Sequence, residues 1–125
     1  MEEEHCNGCV LVVDDVKIAR DLEYAFLSRE GYEVIEASDG DEALEKFTRL
    51  HPALVILDII MPHMNGIQAL KKIKHQLPGA KVLICTATDD YRIIDLALKE
   101  GADGYIIKPY TGFEFIKAVR DILKK

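Results

Sequence analysis

The chain has 125 residues, 49% hydrophobic and 30% charged, which suits one soluble domain with a real core. With 16 basic and 22 acidic residues the net charge is −6, which argues against nucleic-acid binding by bulk neutralisation of phosphates. No stretch nears the roughly 18 apolar residues of a membrane span and the opening "MEEEH" is no signal peptide, so a cytoplasmic protein without membrane contact is expected.

Residues 1–8 read as an N-terminal extension and 9–125 as one domain. The segment "HCNGC" (5–9) places Cys6 and Cys9 at C-x-x-C spacing beside His5. A redox pair normally opens a helix after a strand, and a structural zinc needs four ligands; this segment precedes a strand and has no fourth ligand. Three cysteines, with Cys85 the third, fit a reducing compartment.

"CVLVV" (9–13) is a short apolar strand that runs into Asp14 and Asp15. Residues 16–30 form a helix with Ile18, Leu22, Ala25 and Phe26 on one face, and Gly31 suits its end. "YEVIEA" (32–37) alternates as a strand with one polar face. Asp39 to Glu42 has the spacing of a capping box, opening a helix with Ala43, Leu44 and Phe47 that Pro52 ends. "ALVIL" (53–57) is the most apolar strand, hence central and covered on both faces, and Asp58 follows it directly. Pro62 and Gly66 mark a loop before a helix with Ile67, Leu70, Ile73 and Leu77. Pro78-Gly79 is a turn, and "KVLICTA" (81–87) is the fourth strand. A helix over 89–100 stops at Gly101, and "GYII" (104–107) is the fifth strand, ending at Lys108-Pro109. Thr111 and Glu114 make a second capping box for a last helix with Ile116, Val119 and Leu123. Lys108, Lys117, Arg120, Lys124 and Lys125 give the end of the chain a basic bias that reads as a solvated helix face. Histidines 5, 51, 63 and 75 read as loop or surface residues.

Five strands alternating with five helices predict an α/β domain, a parallel sheet between two helix layers. Sites in such sheets lie beyond the carboxyl ends of the strands. Asp14, Asp15, Asp58, Thr86, Thr88 and Lys108 all fall there. Three carboxylates together repel without a counter-charge, and a hard divalent cation such as Mg²⁺ relieves that repulsion. Lys108 and Thr86 add a cation and a hydroxyl donor suited to a phosphoryl group, and an aspartate can be its acceptor. Taken singly, Asp14 and Asp15 could be mere helix caps, Thr86 a strand end and Tyr105 a packing aromatic.

"VLVVDD" (10–15), "LVILDIIMPHMNG" (54–66), "CTA" (85–87) and "GADGYIIKP" (101–109) together resemble the receiver domain of two-component response regulators, especially the single-domain chemotaxis type. The resemblance spans nearly the whole chain after Cys9. It implies a three-layer, flavodoxin-like fold with strand order 2-1-3-4-5. It makes Asp58 the phosphoacceptor, with Lys108 and Thr86 assisting. Mg²⁺ or Mn²⁺ would be held by Asp14, Asp15, Asp58 and the backbone carbonyl of Ile60. Thr86 and Tyr105 would form the switch, Ile60 and Thr88 would tune the phosphate lifetime, and Lys108-Pro109 would be cis. The partners implied are a histidine kinase or phosphotransfer protein and a downstream target protein, with no direct nucleic acid, and the chain would be a monomer or weak dimer. Asn65 stands where the family often has aspartate, and Ile60 is apolar where several relatives are polar.

The expected function is a phosphorylation-activated switch that catalyses its own phosphorylation and slow dephosphorylation. The alternative is a receiver cut from a larger regulator with a DNA-binding or enzymatic output domain, since the chain stops directly after the last helix with no linker; a free-standing receiver is favoured. An aspartyl-nucleophile phosphatase would need a second carboxylate where Ile60 stands. A flavin-binding module on this fold would place phosphate where Asp14 and Asp15 repel it.

Overall fold

The computed structural model describes residues 8–60 and 65–124. Elements follow in strict alternation: β1 (Val10–Val13), α1 (Lys17–Arg29), β2 (Val34–Ala37), α2 (Gly40–Leu50), β3 (Leu54–Leu57), α3 (Gly66–Gln76), β4 (Val82–Thr86), α4 (Tyr91–Lys99), β5 (Gly104–Ile107) and α5 (Gly112–Leu123). The sheet is parallel throughout, in the order β2-β1-β3-β4-β5. No helix among the described residues is long and apolar enough to cross a membrane.

Period-two alternation divides the core. Leu11, Val13, Val55, Leu57, Val82 and Ile84 face α2, α3 and α4, packing with Phe47, Leu70 and Ile73. Val10, Val12, Leu54, Ile56, Leu83 and Cys85 face α1 and α5, packing with Leu27, Phe115 and Val119. Every residue of β3 is buried, as its unbroken apolar run requires. Each such Leu, Ile or Val contributes roughly 1.5–3 kcal/mol on burial.

Helix starts follow their local chemistry. Thr111 and Glu114 form the complete capping box, with bonds of 3.0 and 2.8 Å. At α2 the box is only half made: Asp39 accepts the Glu42 N–H at 2.8 Å, while the Glu42 carboxylate turns to the N–H and hydroxyl of Ser38. His51, not Pro52 itself, makes the turn that ends α2, with φ of 50°. Gly31 and Gly101 take positive φ beyond the ends of α1 and α4.

Helix α1 corrects the sequence reading. Ile18, Leu22, Ala25 and Phe26 were expected to form its inner face. Instead Ile18 is 79% and Leu22 48% exposed, Ala25 is exposed, and the fully buried residues are Leu27 and Glu23. Phe26 stays half-buried against Phe115, ring centroids 5.9 Å apart. The helix is rotated because Leu27 and Phe26 meet α5 while Glu23 finds a polar partner inside. Leu77, expected on the inner face of α3, is also exposed, as the extended residue that closes that helix.

Cys85 is a free, buried thiol. Cys6, His5, Pro62, His63 and Lys125 lie outside the described residues; His51 and His75 are exposed, as read.

Candidate functional site

The carboxyl edge of the sheet gathers the polar residues that the strand order predicts. Strand β3 delivers Asp58, whose N–H continues the ladder to the Val13 carbonyl at 3.0 Å. Its Oδ1 accepts the Ile60 N–H at 3.1 Å, folding the chain sharply after the strand. Gly66 lies against this turn and donates its N–H to the Ile59 carbonyl at 3.0 Å. A Cβ at Gly66 would sit 2.3 Å from Ile59 Cα and 2.5 Å from the Asp58 carbonyl oxygen, so only glycine lets α3 start here.

Strand β1 delivers Asp14, 1% exposed, and Asp15, exposed. Asp14 Oδ1 accepts the Val16 N–H at 2.9 Å, which serves the entrance of α1. Its Oδ2 accepts from Lys108 Nζ at 2.7 Å. The Val16 N–H bond folds the chain after β1 and is no helix cap, because α1 starts at its N-cap Val16 without any side-chain cap bond; the cap reading of Asp14 is therefore not met. Asp14, Asp15 and Asp58 each offer an oxygen within 4.8 Å of the others, a group that could hold a metal ion. All three donors are hard oxygens, as Mg²⁺ prefers, so the residue set fits that ion.

Lys108 is set at the end of β5 by its N–H bond to the Thr86 carbonyl, 2.8 Å, and its peptide bond to Pro109 is cis, as expected. Its ammonium bridges Asp14 and Asp58, the latter at 3.6 Å. Burial pulls this ammonium's pKa down, but the Asp14 hydrogen bond and the charges of Asp58, Asp14 and Glu23 outweigh it and hold it above the ordinary lysine value. Burial lifts the Asp58 carboxyl above the usual aspartate range, with Asp14 and Asp15 adding to the rise against the Ile60 N–H and Lys108.

Thr86 is fully buried, and its hydroxyl accepts the Thr88 N–H at 3.2 Å; the Thr88 hydroxyl in turn accepts the Asp90 N–H at 3.1 Å. Both threonines thus shape the bend leading into α4. The Ile60 side chain is exposed beside Asp58. Tyr105 is set back along the ladder, paired with Ile84 while Thr86 pairs with Ile107. Its ring is exposed and lines a shallow groove of about 410 Å³ with Tyr91, Arg92, Ile94, Asp95 and Leu98. The structure therefore brings Asp14, Asp15, Asp58 and Lys108 into one cluster, joins Thr86 to it through the bond from its carbonyl to the Lys108 N–H, sets Ile60 two residues past Asp58, and leaves Tyr105 exposed.

Two residues nearby went unread in the sequence. Glu23 is 1% exposed on the inner face of α1 and accepts a hydrogen bond from the Tyr110 hydroxyl. The available signal was its spacing: Glu23 precedes Phe26 and Leu27 by three and four positions, on their stripe of the helix.

The model of the family described as response regulator receiver domain matches residues 10–120. The chain is 39% identical over 116 residues to chemotaxis protein CheY of Thermotoga maritima, covering 92% of this chain and 97% of that one. It is also 39% identical to the alkaline phosphatase synthesis transcriptional regulatory protein PhoP of Bacillus subtilis, covering 95% of this chain but 50% of PhoP. Among solved structures, response regulator protein TrrA of Thermotoga maritima in complex with Mg²⁺-BeF superposes with a TM-score of 0.85 at 37% identity, covering 93% of this chain and 99% of that one.

Proposed function

The chain belongs to the response regulator receiver family of two-component signalling, and from that premise we propose that Asp58 accepts a phosphoryl group in a Mg²⁺-dependent reaction. The observation that carries the reading is the cluster itself: three aspartate oxygens within 4.8 Å of one another, bridged by the Lys108 ammonium. Asp14, Asp15, Asp58 and the Ile60 carbonyl would hold the ion, which supplies positive charge to the phosphoryl oxygens when bound. One Asp58 carboxylate oxygen attacks phosphorus, and the donor leaves with the electrons of the broken bond. Lys108 shifts from Asp58 toward the new phosphoryl oxygen, and the Thr86 hydroxyl turns its own O–H to donate to another.

Receiver domains work with histidine kinases and downstream targets. For this chain a kinase or phosphotransfer phosphohistidine is the donor, and a target protein reads the result. The output route runs from Thr86 through β5 to the groove around Tyr105. A bias of about 1.5–3 kcal/mol from one charge-assisted hydrogen bond moves a two-state element substantially. Ile60 offers no second carboxylate for a phosphatase mechanism and leaves the attacking water unaligned, which favours a lasting phosphate.

Incubation with acetyl phosphate and Mg²⁺ should add one phosphoryl mass to the wild type and none to Asp58→Asn. Stoichiometric gain by the variant would remove Asp58 from the reading. Thr86→Ala should still accept phosphate, with smaller phosphorylation-induced amide shifts across residues 91–120.

A further inference from the structure

Lys108 does not stand at the end of β5 unsupported. Two residues on, Tyr110 is fixed at both ends of its side chain. Its ring stacks on Phe115 of α5, centroids 5.3 Å apart and 12° between planes. Its hydroxyl donates to Glu23 of α1. A carboxylate buried this deeply in a helix face has no place in core packing unless a partner holds it. Here the partner is the loop that follows the catalytic lysine. Among the described residues no buried side-chain nitrogen or oxygen lacks a partner, so the pairing is complete.

We propose that Glu23 is a positioning residue for phosphoryl transfer: through the Tyr110 hydroxyl it ties α1 to the β5–α5 connection and so fixes where Lys108 sits, and its charge state sets the field in which that lysine works. The inference rests on the phosphoacceptor reading of Asp58.

The groups facing Glu23 come from every strand end around it. They are Tyr110 in the connection, Lys108 from β5, Asp14 from β1, Asp58 from β3 and Cys85 from β4. Lys108 is the cation among them. Burial lifts the Glu23 carboxyl to about 7, against the Tyr110 hydrogen bond and the Lys108 charge, with Asp14 and Asp58 adding to the rise. Below that pH Glu23 is neutral and Lys108 answers to Asp14 and Asp58 alone. Above it a third negative charge competes for the ammonium and repels the incoming phosphoryl dianion.

The test measures the initial rate of phosphoryl uptake from acetyl phosphate, with Mg²⁺, from pH 6 to 8.5. Wild type should slow roughly threefold as pH passes 7, the effect of one screened unit charge. Glu23→Gln keeps the acceptor oxygen and should hold the low-pH rate throughout. Tyr110→Phe should be roughly tenfold slower at every pH, because the lysine is no longer held in place. The double variant Glu23→Leu/Tyr110→Phe removes both polar groups at once; it should fold, lack the step at pH 7 and stay slow. Wild-type rates in the double variant, or an unchanged pH step in Glu23→Gln, overturn the proposal. A second readout is independent of phosphorylation: the ¹⁵N shift of the Lys108 side chain should titrate near pH 7 in wild type and not in Glu23→Gln. If wild type takes up no phosphate yet that titration appears, the acceptor reading fails while the coupling stands. If uptake on Asp58 proceeds and the Lys108 titration is the same in both proteins, the coupling fails alone.

Discussion

Two buried carboxylate sites lie close together in this fold and are handled in opposite ways. Asp14 at the carboxyl edge is paired with an ammonium, Lys108, at 2.7 Å. Glu23, one layer away between sheet and α1, is paired with a neutral phenol. A cation favours the ionised carboxylate, whereas a phenol favours it only weakly and cannot offset desolvation. Glu23 is therefore lifted to about 7 despite its hydrogen bond. The difference teaches that a hydrogen bond from a neutral phenol does not cancel the cost of burying a carboxylate. One carboxylate faces a fixed ammonium and the other a phenol, and the second changes charge state near neutrality.

The most forceful way to break the contrast is to remove the cation. Lys108→Met leaves Asp14 buried with only the Val16 N–H for its carboxylate. Urea denaturation should show a loss of about 3–5 kcal/mol, the usual result of stranding one member of a buried pair. A loss below about 1 kcal/mol would mean that water already screens the pair.

Glu23→Gln sharpens the other half. The folded carboxyl titrates at about 7 against 4.5 for the ordinary group, so between those values the folded state holds a proton that the unfolded state has released. The stability tied to Glu23 is thus complete below pH 4.5 and is lost as pH rises through 7. The variant should gain up to about 3 kcal/mol over wild type at pH 8 and nothing at pH 4. A gain that is flat with pH would place the effect in packing.

A smaller effect is expected from the metal. Mg²⁺ at ten times its Kd should stabilise the folded state by about 1.4 kcal/mol, read as a higher melting temperature. Asp15→Ala should abolish most of that rise while costing little by itself, since Asp15 is exposed. An equal Mg²⁺ response in the variant would take Asp15 out of the ion's shell. The smallest change is kinetic: Ile60→Asn should speed loss of phosphate from Asp58 by roughly threefold, because a polar group there can align water. Slower loss would count against Ile60 as a lifetime control.

Legibility in the sequence followed the strength of each local signal. Strand β3 and Asp58 were readable because an unbroken apolar run leaves one place for a charge, at its exit. The α5 capping box was readable because both partners lie within one turn. The inner face of α1 was not. Ile18, Leu22 and Ala25 have helical spacing, but so do Glu23, Phe26 and Leu27, and the sequence alone weighs an isoleucine above a glutamate. What reverses that order is Tyr110, 87 positions away, which makes burial of Glu23 affordable. The α2 box is half made for a nearer reason, since Ser38 offers both an N–H and a hydroxyl to the Glu42 carboxylate. Residues at the site were legible as a set because the parallel topology sends every strand end to one edge. Their separate bonds, such as Asp14 dividing its two oxygens between Val16 and Lys108, required coordinates.

Gly66 has a bearing on how this chain can vary. It carries no charge and has no side chain, yet the backbone of Ile59 and Asp58 fills the space where a Cβ would go. In a saturation library scored for phosphoryl uptake, position 66 should therefore behave like a chemical residue and accept a single amino acid out of the ordinary repertoire. Neighbouring Asn65 should accept serine or aspartate, since its task is to receive the Ile67 N–H. The turn that carries Asp58 thus depends on an empty position, and a lineage that filled it would have to rebuild the start of α3.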